Sequence, residues 1–256
     1  RSRRELTYDE LFEAYMEQME GLIEGGVDTI LIETIFDSLN AKVAIDAAIH
    51  AREKAGRDVP IMLSVTISDA AGRTLSGQTL EAFLASVSSF PIFSIGLNCS
   101  FGARQMKPYL KELARKAPYY ISAHPNAGLP NSLGLYDETP ETMAPQIAEF
   151  IDEGLVNIVG GCCGTTPAFI EKYTPLAVGK KPHQPAPKSE NMLLSGLDVL
   201  ECTSDSPQNS EFGIRNSKFT NIGERCNVAG SRKFLRLIKE RNYEEALQIA
   251  RKQVED

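Results

Sequence analysis

Three cysteines in this sequence have a spacing that could build a metal centre. Cys162 and Cys163 are adjacent within the run Gly-Gly-Cys-Cys-Gly over 160–164, and Cys99 lies 63 residues earlier. Glycine adopts backbone conformations closed to other residues, so a sharp turn there could direct two neighbouring thiols to one point. Three thiolates suit zinc, and three protein ligands are typical of a catalytic site with one open position. A thiol substrate bound at that position would be deprotonated and could act as a nucleophile.

The same cysteines have simpler interpretations. Free cysteine is often just buried among small residues, and two neighbouring thiols can also form a redox switch. The chain has five cysteines, an odd number, and we see no role for Cys202 or Cys226. Without an export signal, thiols or metal ligands are expected rather than a disulfide framework. His124 as a further zinc ligand would close the site, so we interpret it as a neighbour of the site or a bystander.

The elements that must position these residues form a repeated pattern. Thr7 to Glu10 has the T-x-x-E form of a capping box, and apolar residues then recur at helical spacing. Apolar strands are predicted to start near 27, 61, 93, 119 and 155, at the spacing of βα units. The intervening helices are predicted near 39–55, 79–89, 102–116, 140–153 and 167–178. Strands this apolar suit a parallel sheet covered by helices, either doubly wound and open or part of a (β/α)8 barrel.

Ligands of parallel α/β folds bind at the carboxyl ends of the strands. Glu33 follows the first predicted strand, Cys99 the third, His124 to Gly128 the fourth, and the Cys162–Cys163 pair the fifth. Three of the five cysteines are therefore expected at one edge of the sheet. This shared edge strengthens the case for metal binding, and the burial of isolated thiols stays open as the alternative.

The pattern ends at Gly179, where residues 179–218 become rich in proline and polar residues and are predicted to be a linker. Met192 to Leu194 forms a short apolar island within it. A strand is predicted at 219–223, and helices near 231–241 and 243–255. A strand and two helices cannot close a core alone, so this part is expected to be the start of a second domain.

Composition narrows the function classes. Hydrophobic residues make up 42% and charged residues 24%, as in a globular chain, and the net charge of −7 argues against nucleic-acid binding. No run approaches the ~18 apolar residues of a membrane span. No signal peptide is evident, so we predict a cytoplasmic protein without a membrane partner. Because the chain lacks an initial Met, we interpret it as a fragment or a processed chain.

Several motifs carry a family resemblance. Gly160 to Pro167 resembles the zinc motif of the homocysteine S-methyltransferases, and Gly96 to Cys99 resembles the segment with that family's first zinc cysteine. More narrowly, four segments resemble the cobalamin-dependent methionine synthase family: 32–37, 72–79, 125–131 and 221–234. These motifs are long and ordered, and they extend over nearly the whole chain.

The resemblance implies an α/β fold with two partial barrels. Residues 1–178 would be the last five βα units of a (β/α)8 barrel, the C-terminal part of a homocysteine-binding domain. Residues 179–218 would be the linker, and 219–256 the first elements of a second (β/α)8 barrel that binds the pterin. The cobalamin module would lie outside this chain, which alone would be incomplete as an enzyme.

The resemblance also implies a methyltransferase of methionine biosynthesis. A homocysteine thiolate activated by Zn2+ would accept a methyl group from methylcobalamin, and 5-methyltetrahydrofolate would remethylate the cobalamin. Cys99, Cys162 and Cys163 would hold the zinc. Glu33 would bind the substrate amino group, although a first-turn helix acid is the simpler interpretation. Asn126 would line the same pocket, or serve only as a turn residue.

In the second domain, Glu224 and Asn227 match the loop that faces the pterin. Two other functions stay open. One is a stand-alone zinc-dependent thiol or homocysteine S-methyltransferase that uses another methyl donor. The other is a zinc-binding domain without catalytic activity. The segment 221–227 argues against the first, since such an enzyme does not need a pterin domain.

Overall fold

The computed structural model describes residues 6–69, 71–202 and 223–255. The chain divides into two compact units between Glu201 and Cys202. The first unit contains the predicted βα repeat. The second contains the two predicted C-terminal helices, and the predicted strand at 219–223 lies, apart from Gly223, outside the described residues.

Five parallel strands alternate with helices in the first unit. The capping box is present at the start of the first helix, where Thr7 Oγ1 accepts a hydrogen bond from the Glu10 backbone at 3.3 Å. Each helix and strand predicted for residues 1–178 has a counterpart in the structure. The elements are α1 Tyr8–Glu24, β1 Ile30–Ile35, α2 Ser38–Ala55, β2 Ile61–Val65, α3 Leu80–Val87, β3 Ser94–Gly102, α4 Ala103–Lys116, β4 Tyr120–Asn126, α5 Pro140–Asp152, β5 Ile158–Val159, α6 Pro167–Tyr173 and a 3-10 helix at Thr174–Ala177.

The strands occur in the sheet in chain order, β1-β2-β3-β4-β5, and every neighbouring pair is parallel. Within the described residues this order has no reversal, whereas a reversal defines a doubly wound sheet. Consecutive strands of a (β/α)8 barrel have this order. The parallel α/β prediction is therefore confirmed, and the strand order favours the barrel over the doubly wound alternative.

The two faces of the sheet differ in composition. Alternate residues such as Leu63, Ile95 and Ile121 are fully buried in the hydrophobic core. On the other face, Ser64, Gly96 and Ser122 lie opposite one another in register. A Cβ atom at Gly96 would be 2.1 Å from the Ser122 carbonyl oxygen, so only glycine fits there. This face carries small and polar groups toward the carboxyl ends of the strands.

The predicted linker contains an additional hairpin, β6 Met192–Ser195 and β7 Val199–Cys202. Its turn contacts the loop between β2 and α3, where Arg73 forms an ion pair with Asp198 at 3.1 Å. The Thr79 backbone N–H also donates to the Leu197 carbonyl at 2.8 Å. The linker predicted from composition thus contains a regular hairpin between residues 192 and 202, and the apolar island forms β6. The domain bounds 1–178, 179–218 and 219–256 remain a prediction.

The second unit contains α7 Arg232–Lys239 and α8 Tyr243–Glu255. Ser231 caps α7 by accepting a hydrogen bond from the Phe234 backbone at 3.3 Å. Lys233 on α7 forms an ion pair with Glu245 on α8 at 3.1 Å. Both helices agree with the predicted positions. Among the described residues of the whole chain, every helix is too short or too polar to cross a bilayer.

Candidate metal centre

The three cysteines meet at the carboxyl edge of the sheet. The sulfur atoms of Cys99, Cys162 and Cys163 all lie within 4.8 Å of one another. The Sγ–Sγ distance is 3.7 Å from Cys99 to Cys163 and 3.9 Å from Cys162 to Cys163. Zinc–sulfur bonds of about 2.3 Å in a tetrahedral site give sulfur–sulfur distances of about 3.8 Å. The donor set and its spacing therefore fit zinc, with three protein ligands.

Cys99 reaches the cluster through an irregular end of β3. The backbone of Cys99 has φ of +60° and that of Ser100 has φ of +58°, in the left-handed region that non-glycine residues rarely occupy. The pairing of β3 with β4 changes register between Asn98 and Gly102. Such irregularities occur where a strand redirects a side chain at a functional site. Here the irregularity places the Cys99 sulfur beside those of the later pair.

Cys162 and Cys163 are held by backbone hydrogen bonds to the end of β4. The Cys162 N–H donates to the Pro125 carbonyl at 2.9 Å, and the Ala127 N–H donates to the Cys163 carbonyl at 2.9 Å. The Cys163 N–H donates to Asn126 Oδ1 at 3.1 Å. Asn126 is buried, and its side-chain oxygen thus helps to orient one cysteine of the cluster.

The turn that follows the pair depends on glycine. Gly164 has φ of +80°, and a Cβ atom there would lie 2.6 Å from Cβ of Tyr136. Thr165 completes the turn, because its side-chain hydroxyl donates to the Cys162 carbonyl at 2.7 Å. The sharp turn expected at 160–164 is therefore present and directs both thiols toward Cys99.

The electrostatics of the cluster favour a bound cation. Burial raises the pKa of Cys162 to about 11, opposed by the hydrogen bond from Asn98 and reinforced by charge on Cys99 and Cys163. Burial also acts against ionisation of Cys163, but hydrogen bonds from Cys99 and Tyr136 outweigh it, so the pKa of Cys163 lies below its usual value. Several thiolates in contact repel one another, and a metal ion removes that repulsion.

Glu33 lies in β1 and His124 lies in β4, near the carboxyl ends of these strands. Glu33 is an exposed residue of β1. Burial lowers the pKa of His124, and the negative charge of Glu33 partly offsets this effect. His124 Nδ1 is buried without a hydrogen-bond partner among the described residues. The three-cysteine group found in the described residues does not include His124.

Two residues near the cluster were not among the predicted site residues. Asn98, which is 1% exposed, directs its Nδ2 atom at the Cys162 sulfur at 3.9 Å. Tyr136 hydrogen-bonds to Cys163 from the loop between β4 and α5. The position of Asn98 directly before a cysteine at a strand end was the available signal. Tyr136 comes from a polar loop whose sequence gives no comparable indication.

Glu224 and Asn227 lie in the second unit, in the loop before α7, and both are exposed. Asn227 Nδ2 donates to Glu224 Oε2 at 2.8 Å, and Asn227 Oδ1 accepts from the Ala229 backbone at 3.0 Å. The two side chains therefore stabilise their own loop. Cys226 lies between them and Cys202 ends β7, and the three-cysteine group found in the described residues contains neither.

Comparison with known proteins agrees with this geometry. The family model described as homocysteine S-methyltransferase matches residues 1–175. In structure, the chain is similar to the homocysteine methyltransferase MmuM from Escherichia coli in its apo form, with a TM-score of 0.51 and 19% sequence identity. The similarity covers 67% of this chain and 57% of that chain. At this identity the structural similarity concerns the fold.

Proposed function

This chain belongs to the homocysteine S-methyltransferase family, and we propose that it binds and activates homocysteine for a methyl transfer that forms methionine. The observation that carries the proposal is the convergence of three cysteine sulfurs within 4.8 Å at the carboxyl edge of the sheet. A ligand at that edge has the usual position for parallel α/β enzymes.

We propose Cys99, Cys162 and Cys163 as the zinc ligands. When bound there, zinc lowers the pKa of a coordinated thiol so that the thiolate is present at neutral pH. With three protein ligands, one position stays open for the substrate sulfur. Asn126 orients Cys163 through the backbone N–H of that residue, with an Oδ1–N distance of 3.1 Å.

We propose that the exposed carboxylate of Glu33 binds the substrate ammonium group. The homocysteine thiolate then attacks the methyl carbon of the donor. A carbon–sulfur bond forms, the bond between the methyl group and the donor breaks, and its electron pair stays with the donor. Binding at two points, ammonium and sulfur, orients the nucleophile before the donor arrives.

For the donor we propose methylcobalamin, presented by a cobalamin module and remethylated by 5-methyltetrahydrofolate. Support comes from the segments that resemble cobalamin-dependent methionine synthases, including 221–234, and from a second compact unit after Glu201. On this proposal the first unit is part of a homocysteine-binding (β/α)8 barrel, and the second begins a pterin-binding barrel. The assignment of Glu224 and Asn227 to the pterin remains a prediction.

The alternative is a zinc-dependent homocysteine S-methyltransferase that uses another donor. It is favoured by the family match, which ends at residue 175 and therefore includes none of the second unit. A non-catalytic zinc domain is less consistent with the site, because three cysteines leave a ligand position open.

The test is methionine formation by the zinc-loaded chain with L-homocysteine and either methylcobalamin or a sulfonium donor such as S-adenosylmethionine. With free methylcobalamin in place of the cobalamin module, we expect a single methyl transfer that forms methionine and consumes methylcobalamin in equal amounts, and no product with the sulfonium compound. The control is the Cys162→Ser chain under the same conditions. If methionine forms with the sulfonium donor but not with methylcobalamin, the alternative homocysteine S-methyltransferase with another donor would be established. A chain that retains zinc but neither binds homocysteine nor forms methionine would contradict the proposal.

A further inference from the structure

We propose that Asn98 is a positioning residue that sets the separation between the site for the substrate ammonium and the site for the substrate sulfur. It would thereby determine the preference for homocysteine over shorter aminothiols such as cysteine. This inference rests on the proposed function, because it takes Glu33 and the cysteine cluster as the two ends of the substrate site. Asn98 itself is 1% exposed and acts through its neighbours.

The side chain of Asn98 connects three strands. Its Oδ1 atom accepts hydrogen bonds from Ser64 Oγ on β2 at 2.8 Å and from the Thr34 backbone N–H on β1 at 3.1 Å. Its Nδ2 atom donates to Thr34 Oγ1 at 3.0 Å and is directed at Cys162 Sγ at 3.9 Å. One buried amide therefore contacts the residue after Glu33 and also one sulfur of the cluster.

The contact with Thr34 holds an unusual backbone conformation. Thr34 has φ of +59°, which is costly for a β-branched residue, and the pairing of β1 with β2 is irregular between Ile32 and Ile35. Both hydrogen-bonding groups of the Asn98 amide engage Thr34, one through its backbone and one through its hydroxyl. The end of β1, with Glu33, is therefore fixed relative to the cysteine cluster.

A fixed separation can discriminate substrates by length. Homocysteine is one methylene longer than cysteine, and a site rejects a ligand that is one methylene too short by about 10–200-fold. That discrimination needs both ends of the site held to within about 0.5 Å. When the Thr34–Asn98 connection is lost, the end of β1 can adjust, and the advantage of the correctly sized substrate decreases.

The test compares dissociation constants of L-homocysteine and L-cysteine for the zinc-loaded full chain by titration calorimetry. Thr34→Val removes the hydroxyl bonded to Asn98 Nδ2 while keeping a β-branched residue at the same backbone position. We expect the ratio of the cysteine dissociation constant to the homocysteine dissociation constant to fall about tenfold, with zinc content unchanged. Thr34→Ser retains the hydroxyl and should restore the wild-type ratio.

A matched control removes a similar hydrogen bond at the opposite end of the same strand. Thr29, just before β1, donates from its hydroxyl to the Pro60 carbonyl at 3.0 Å, so Thr29→Val should leave the ratio within twofold. Asn98→Ala is the more drastic variant, but it leaves the buried Ser64 hydroxyl without its partner and can impair folding. The test therefore relies on the Thr34→Val and Thr34→Ser variants.

The possible outcomes distinguish a failure of the role of Asn98 from a failure of the proposed function. If the wild-type chain discriminates and Thr34→Val does not change the ratio, the role of Asn98 is overturned and the proposed function stands. An equal change in the Thr29→Val control would also overturn it, because the effect would then be a general loosening of β1. If the wild-type chain binds zinc but not homocysteine, the proposed function fails, and the inference fails with it.

Discussion

Asparagine side chains lie both at the cysteine cluster and in the loop before α7, but they bond over very different sequence distances. Asn98 bonds to groups 34 and 64 residues away, and Asn126 to a backbone group 37 residues away. Within the described residues, the Asn227 side chain bonds two and three residues away, to Ala229 and Glu224. The region around the cysteines is therefore assembled from several strands, whereas the loop before α7 is stabilised by its own residues.

This difference distinguishes a site from a turn. Asparagine often stabilises its own loop, and such local bonding needs no ligand to explain it. Around the cysteines, the Asn98 side chain instead connects β1, β2 and β3 and contacts the Cys162 sulfur, while Asn126 bonds to the Cys163 backbone. Three of the four non-glycine residues with positive φ in the described chain are also there, namely Thr34, Cys99 and Ser100. Backbone strain and long-range hydrogen bonds therefore occur together at the cysteine cluster, where we propose the methyl transfer.

The largest expected effect comes from removing one sulfur of the cluster. Cys162→Ser should weaken zinc binding by more than ~100-fold, beyond the 10–100-fold typical of changes in the residues around metal ligands. Competition with a chromogenic chelator measures the affinity. Cys226→Ser, in the locally bonded loop, is the matched control and should retain one zinc per chain. Unchanged zinc affinity in Cys162→Ser would remove the three-cysteine assignment.

Next in size is a backbone change that disturbs the assembly of the sheet. Gly96→Ala places a methyl group 2.1 Å from the Ser122 carbonyl oxygen, and we expect a loss of about 3 kcal/mol in the free energy of unfolding. Gly21 on α1 has nothing within 4 Å of the same position. Gly21→Ala should therefore stabilise the chain by about 0.5–1 kcal/mol. Denaturant unfolding of both variants checks the opposite signs.

A smaller effect is expected at the substrate end of the site. Glu33→Gln should weaken homocysteine binding by about 10–100-fold, since a hydrogen bond to a charged group contributes about 1.5–3 kcal/mol. Zinc content should stay at one per chain. Glu17→Gln on the exposed face of α1 controls for the change in net charge. If Glu33→Gln loses zinc instead, Glu33 supports the structure of the metal centre and does not bind the substrate.

The smallest effect is expected in the loop before α7. Asn227→Ala removes two local hydrogen bonds and should cost about 1 kcal/mol of stability, without a change in zinc or homocysteine binding. Denaturant unfolding measures the stability, and zinc analysis with calorimetric titration of L-homocysteine measures the binding. An unchanged stability, or a loss of zinc or homocysteine binding, would contradict the contrast between the two regions.

Much of this architecture follows from sequence pattern. Helical periodicity and capping located the helices to within a few residues, because amphipathic faces and caps are local features. The convergence of the cysteines followed from one rule, that parallel strands present their carboxyl ends at a common edge. The first strand was placed about three residues early, because Val27 to Thr29 resembles a strand in composition although β1 begins at Ile30.

Other features depend on contacts that a sequence does not display. The β6–β7 hairpin lies in a segment rich in proline and polar residues, and it is stabilised by partners more than 100 residues away, including Arg73 and Gln78. The left-handed conformation of Cys99 is imposed by the irregular end of β3, since cysteine has no intrinsic preference for it. The role of Asn98 depends on strands that precede and follow it, so its sequence neighbours cannot reveal it.

The most direct test of the central claim is zinc-edge X-ray absorption of the zinc-loaded chain, before and after addition of L-homocysteine. The claim is that Cys99, Cys162 and Cys163 hold zinc with one position open for the substrate sulfur. It predicts three sulfur ligands and one oxygen or nitrogen ligand at first, and four sulfur ligands after addition. A coordination shell that does not change on addition of homocysteine, or that already contains four protein ligands, would contradict it.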